Sequence, residues 1–147
     1  SLTRALYKAL QASGVKVQNY GTVLATIADD DKEEALPLIR RFYNLGFNIE
    51  ATEGTAKFLK NHGIKTRIRK KISDGSTDIL DSIRQGYVTY VINTRDVRSE
   101  NRISDGSAIR QCAIENNVTV LTALDTVRAL LDVLEEITLS VSTIDAQ

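Results

Sequence analysis

Short apolar runs rich in β-branched residues alternate along this chain with segments whose apolar residues recur at helical spacing. The runs are Thr22 to Ala28, Phe47 to Ala51, Val88 to Asn93 and Val118 to Leu121. Thr22 to Ala28 and Val88 to Asn93 are short and mostly apolar or β-branched, as strands are when a parallel sheet covers them on both faces, and the other two runs are further strand candidates. Between them, Ala35, Leu36, Leu38, Ile39, Phe42 and Leu45 follow a helical period and stop at Gly46. Pro37 fits that helix if the regular part begins near it. Ala56, Phe58 and Leu59 mark a second helix ending at Gly63, and Ile79, Leu80 and Ile83 a third ending at Gly86. Helical patterns return at Ala108–Ile114 and Val127–Leu134, and Ile137 to Val141 alternates like a strand. Ile64 to Ile72 also alternates, with Arg67, Arg69 and Lys71 on one side and Ile68 and Ile72 on the other. Strand and helix in turn predict an α/β, Rossmann-like three-layer sandwich around a mostly parallel, five-stranded sheet.

Leu6, Ala9 and Leu10 form one more helical stripe, closed by Gly14 and followed by a polar passage. Residues 1–19 therefore read as a helix and linker, and residues 20–147 as the main domain. With 147 residues, 42% hydrophobic and 26% charged, the chain has enough apolar material for one real core. Nineteen basic residues balance 19 acidic ones, which argues against a nucleic-acid partner. A single Cys excludes an internal disulfide and points to a reducing, cytoplasmic setting. One His and one Cys also fall short of the four N/S ligands of structural zinc. No apolar run approaches the ~20 residues of a membrane span, and no secretory signal is expected.

Ligands of open α/β sheets bind beyond the carboxyl ends of the strands, so the loops after Ala28, Ala51, Asn93 and Leu121 deserve inspection. Thr52-Glu53-Gly54-Thr55 opens a helix, where free N–H groups and the dipole favour an anion. Gly54 permits close approach of a ligand, and Thr52 and Thr55 offer hydroxyls. The alternative is a threonine N-cap beside a turn glycine. Asp29, Asp30 and Asp31 fit a helix start better than a metal site, and Lys32 is the one cation beside them. Arg67, Arg69 and Lys71 suit an edge strand guarded by charge. Asp78 reads as a helix cap or a general base, and Asn93 and Thr94 can read a base or ribose. Arg95 to Arg102 forms a polar loop able to supply a cation. His62, just before Gly63, suits a helix C-terminus, and Cys112 falls on an apolar face with Ile109 and Ala113. No Walker A loop and no G-x-G-x-x-G occurs, and no nucleophilic set assembles. Phosphate binding is better supported than turnover.

The ordered segments TVLATIADDDKEEALPLIRRFYNLGFNIEATEGTAKFLKNHGI, KKISDGSTDILDSIRQG and YVINT resemble the methylglyoxal synthase-like domain. The resemblance spans about Thr22 to Val141 and is closest to the C-terminal allosteric domain of the carbamoyl phosphate synthetase large chain. Tyr7 to Gly14 is similar to the segment that joins the preceding ATP-grasp unit to that domain, so the chain reads as a C-terminal piece.

The resemblance implies a regulatory module that binds UMP or IMP, with phosphoribosyl pyrophosphate activating some members and ornithine binding nearer the junction. It implies that Thr52, Gly54 and Thr55 hold the effector phosphate, with Thr26, Lys32 and Lys71, and that Asn93 and Thr94 contact the ribose or base. Where Arg95 stands, the family often has a small residue. It implies no cofactor and no catalytic residue in this domain, and ATP, Mg²⁺ and K⁺ in the parent enzyme. The implied partners are the synthetase domains of the same chain and a glutaminase small subunit. The runner-up, a free-standing methylglyoxal synthase acting on dihydroxyacetone phosphate, uses histidines in the first loop and after the central strand. Neither Ala28 to Lys32 nor Asn101 to Asp105 contains one, so Asp74 or Asp78, the nominal match to that family's aspartate, lacks its partners. A cyclohydrolase of purine synthesis shares the fold but carries a further segment that this sequence lacks.

Overall fold

The computed structural model describes residues 2–94 and 100–145. Its elements are α1 (Leu2–Ala12), β1 (Thr22–Thr26), α2 (Lys32–Asn44), β2 (Asn48–Thr52), α3 (Glu53–Asn61) and β3 (Arg67–Arg69). They continue through α4 (Asp78–Arg84), β4 (Val88–Asn93), α5 (Glu100–Glu115), β5 (Thr119–Leu121) and α6 (Leu124–Asp145). The five strands lie in the order β3-β2-β1-β4-β5, and every pairing is parallel. The expected three-layer α/β sandwich is therefore the fold. All five residues of β1 and all six of β4 are buried, as their apolar runs require.

Alternation of side chains sorts the core into two layers. Val23, Ala25, Ile49, Ala51, Tyr90 and Ile92 face α2, α3 and α6. Leu24, Val88 and Val91 face Ile79 and Ile83 of α4 and Ile109, Cys112 and Ala113 of α5. The expected apolar setting of Cys112 thus holds. On the first side, the rings of Phe42, Phe47 and Tyr90 meet at centroid distances of 5.1, 5.9 and 6.1 Å. Arg41 ties α2 to α6 through Asp132 at 2.8 Å and Glu135 at 2.5 Å.

The first nineteen residues pack on this same core. Leu10 of α1 is buried, and Leu6, Tyr7, Val15 and Val17 lie against the cluster. The Tyr90 hydroxyl accepts from the Gln18 amide at 2.8 Å and reaches the Lys16 carbonyl at 2.8 Å. Gly21 completes the junction at φ +124, and a Cβ there would lie 1.9 Å from Thr89 Oγ1. Burial pushes the Tyr90 phenol up to about 12, opposed by the Gln18 backbone hydrogen bond. An unfolded tyrosine titrates near ~10, so between about pH 10 and 12 the folded chain keeps a proton that the unfolded chain has lost. Stability falls across that window by roughly 2–3 kcal/mol from this group. Urea unfolding at a series of alkaline pH values should show a shallower decline for Tyr90→Phe than for the wild type.

Three expectations need correction. Ile137 to Val141 is helical, because Leu130, Leu134 and Ile137 continue the period of Val127 with no glycine or proline to stop it. Arg67, Arg69 and Lys71 do not form one row, since pairing with β2 ends at Arg69 and the chain then turns into a 3-10 turn at Ile72–Asp74. Pro37 lies within α2, whose regular part begins earlier, at Lys32. The polar loop expected at Arg95 to Arg102 lies outside the described residues at 95–99, and α5 has begun by Glu100.

Candidate functional site

The register of the sheet builds the site. Thr52 pairs with Arg69, Ala51 with Ala25, and Thr26 with Asn93. Arg69, Thr52, Thr26 and Asn93 thus form one row across the carboxyl ends of four strands. They share the face covered by α4 and α5, because Leu24 and Val91, two positions earlier, face those helices. Over this row opens a small, half-open cleft lined by Thr26, Thr52, Lys71, Ile79, Asn93, Asp105 and Ile109.

Four of the eight expected residues meet there. Thr26 donates to Asn93 Oδ1 at 2.5 Å, which fixes the amide and turns its Nδ2 outward. Thr52 occupies the N-cap position of α3, yet its hydroxyl makes no capping bond. The Thr52 hydroxyl, the Asn93 Nδ2 and the Lys71 ammonium meet no hydrogen-bond acceptor among the described residues. Three free donors around one opening favour an anion with several oxygens.

Gly54 and Lys32 form the adjoining corner. A Cβ at Gly54 would stand 3.6 Å from Lys32 Nζ, so the ammonium lies over the first turn of α3. Asp29 holds Lys32 at 2.5 Å. The cation therefore lies at the anion-favouring end of α3, already shared with a carboxylate.

Thr55 and Thr94 sit differently. The Thr55 hydroxyl accepts from the Ile27 amide at 3.2 Å and is buried. The Thr94 hydroxyl accepts from the Ala28 amide at 2.7 Å, while the Thr94 amide donates to the Thr26 carbonyl at 3.1 Å. Both threonines hold the backbone after β1, and neither lines the cleft. Thr55→Val should lower stability by about 1–3 kcal/mol by stranding the buried Ile27 amide. Chemical denaturation of that variant measures the loss.

Sequence reasoning missed Ile79, Ile109 and Asp105 as lining residues, and it missed Gly106. Asp105 accepts from the Ser73 amide at 3.3 Å, which docks the turn after Lys71 against α5. A Cβ at Gly106 would lie 3.0 Å from Asn93 Nδ2, so the glycine lets α5 lie close to that amide. A glycine costs about 1 kcal/mol inside a helix relative to alanine. Its presence after Asp105 was the available signal. Ile79 and Ile109 supply an apolar wall opposite the donors.

Other candidates lie elsewhere. His62, the single histidine, ends α3, with Nδ1 2.8 Å from the Phe58 carbonyl and its ring 4.5 Å from Phe58. Asp78 is the first residue of α4, after the N-cap Thr77, and accepts from the Lys70 amide at 3.1 Å, a bond that ties the segment after β3 to α4 and does not cap the helix. Among the described residues, no three His, Cys, Asp or Glu side chains gather as metal ligands. No described helix is long and apolar enough to cross a membrane.

The fold is that of open α/β sandwiches, and the cleft lies beyond the carboxyl ends of the strands. The MGS-like domain family matches residues 34–122, from the first turn of α2 to the end of β5. The chain belongs to that family. Among solved structures, methylglyoxal synthase from Elizabethkingia anophelis NUHP1 is similar with a TM-score of 0.65 and 18% identity. The likeness covers 78% of this chain and 79% of the other, and at that identity it is one of fold.

Proposed function

We propose that this chain is a regulatory, effector-binding domain of the carbamoyl phosphate synthetase large chain, binding a phosphorylated nucleotide of the UMP or IMP class. The observation that carries this reading is the convergence of Lys71, Thr52 and Asn93 on one cleft, with the single histidine at the far end of α3. Lys71 and Thr52 suit a phosphate, aided by Lys32 and the N–H groups behind Gly54. Asn93 suits a ribose or base edge, and Ile79 and Ile109 offer apolar contact to a ring. Thr55 and Thr94 act by holding the floor of the site.

In this reading the domain uses no cofactor. The parent cytoplasmic ligase makes carbamoyl phosphate from bicarbonate, glutamine-derived ammonia and ATP with Mg²⁺ and K⁺, alongside a glutaminase subunit, for pyrimidine or arginine synthesis. Phosphoribosyl pyrophosphate is a third effector of suitable chemistry. The effector changes synthesis by binding one packing of the domain against its synthetase neighbour more tightly than another, and only that difference in affinity shifts the equilibrium.

The test is thermal unfolding of the chain with UMP, IMP, phosphoribosyl pyrophosphate or ornithine. A ligand at 100 times its Kd adds about 2.7 kcal/mol of stability. Saturable stabilisation by one nucleotide supports the reading, and none with any of them counts against it. A second reading is a lyase acting on dihydroxyacetone phosphate, favoured by the Asp105 carboxylate in the cleft beside Lys71. Formation of methylglyoxal from that substrate would establish it instead.

A further inference from the structure

We propose that the buried pair Glu50–Arg69 is a positioning device for Lys71, setting the affinity of the cleft for phosphate without touching the ligand. The inference rests on the reading of the cleft as a phosphate site. Apart from its three paired positions on β2, little else holds β3. That strand has three residues at the edge of the sheet, and Arg67 and Ile68 are exposed, so apolar burial contributes little to its place. Beyond it, the segment carrying Lys71 is held by single bonds from the Lys70 amide to Asp78 and from the Ser73 amide to Asp105.

The strong link lies at Glu50. Its side chain is almost wholly buried, and Arg69 donates to it twice, from Nε at 2.8 Å and from Nη2 at 3.2 Å. The same Nη2 donates to the Tyr87 hydroxyl at 2.8 Å, and Tyr87 donates to Ser82 Oγ at 3.2 Å. Edge strand, neighbouring strand and α4 are thereby joined by one chain of bonds. A forked guanidinium–carboxylate contact fixes angle as well as distance, which a single bond does not. The Glu50 hydrogen bond holds the Arg69 guanidinium above its ordinary range, against the effect of burial.

The offsets complete the argument. Thr52 follows Glu50 by two residues and Lys71 follows Arg69 by two, while Thr52 pairs directly with Arg69. Thr52 and Glu50 share a face of β2, so the fork lies one step below the cleft. A register locked there is carried into the position of Lys71 relative to the Thr52 hydroxyl. Arg69 itself does not line the cleft. Loosening the lock by about an ångström at Lys71 would weaken a ligand that depends on convergent donors.

The experiment compares the wild type with Arg69→Lys, which keeps the charge and loses the fork, and with Glu50→Leu/Arg69→Leu. The double variant replaces the pair with apolar groups, a change that buried pairs often tolerate. Each is made with and without Lys71→Ala and titrated with inorganic phosphate and with UMP, alongside amide hydrogen exchange of the unliganded protein. Both lock variants should bind the probes about tenfold more weakly when Lys71 is present, and about equally when it is absent. Their exchange at residues 70–75 should rise while that of β1 and β4 stays slow. Binding like the wild type, or an equal loss with and without Lys71, would overturn the inference. A Lys71→Ala protein that binds both probes normally would sink the reading of the cleft, and the inference with it. The exchange data separate that outcome from failure of the lock alone.

Discussion

Lys71→Ala is expected to weaken binding of a phosphorylated nucleotide by about 10- to 150-fold, the equivalent of one charge-assisted hydrogen bond of ~1.5–3 kcal/mol. Lys71 is the cation that lines the cleft, and it has no ion-pair partner among the described residues. Lys32, the other nearby cation, is shared with Asp29 at 2.5 Å and compensates poorly. Because Lys71 sits in a turn outside β3 and packs into neither core cluster, its loss leaves the unfolding midpoint of the unliganded chain unchanged. Titration calorimetry beside thermal unfolding checks both halves. A weakened affinity with an intact midpoint is the predicted pair. On the proposed reading as a synthetase domain, the same change is expected to abolish the response to effector while basal synthesis persists.

Phe42→Ala is expected to do the reverse. Its ring is fully buried, edge-on to Phe47 at 5.1 Å and 5.9 Å from Tyr90. Removing such a side chain costs about 3–5 kcal/mol, through lost transfer energy and the cavity left behind. For a chain of this size that lowers the midpoint by roughly 10 °C. The cavity lies on the α2 side of the sheet, whereas the cleft lies on the α4 and α5 side. Affinity measured well below the lowered midpoint should therefore match the wild type. Together the two substitutions separate what holds the domain from what it holds.

The sheet was legible wherever burial on both faces forced a continuous apolar run. Val88 to Asn93 was read to the residue, and Thr22 and Phe47 marked the starts of their strands closely. Helix stops at Gly46, Gly63 and Gly86 were equally clear, since each adopts the positive φ that other residues avoid. The tail misled because Ile137, Leu139 and Val141 alternate over a stretch too short to show that Ile137 continues the helical stripe from Val127 while Leu139 is exposed. The first half of α5 was hidden for a different reason. Its Asp105-Gly106-Ser107 has the composition of a turn, and only the close approach to Asn93 explains a glycine there.

The cleft was half legible. Thr52 directly follows its run and Asn93 ends its own at the carboxyl side, so the rule for open α/β sheets picks them out, whereas Thr26, inside the run Thr22 to Ala28, came from the resemblance alone. Lys71 was singled out through its motif, but it was grouped with Arg67 and Arg69 because alternation cannot reveal where pairing stops. Glu50 was invisible as a partner. A lone acid in an apolar run makes physical sense only once the register brings Arg69 alongside it. Thr55 and Thr94 read as ligand hydroxyls because sequence does not say which backbone amide a hydroxyl will meet.

The central claim is that a phosphorylated nucleotide enters the cleft over the row of Thr52, Thr26 and Asn93. Mapping backbone amide chemical shifts during titration with UMP, and separately with IMP, tests it most directly. The predicted result is saturable change confined to residues 26–32, 52–55, 70–75, 93–94 and 105–109, reduced in Lys71→Ala. Change centred instead on the opposite sheet edge, around residues 11–17 and 117–120, would contradict it, as would no change with either nucleotide.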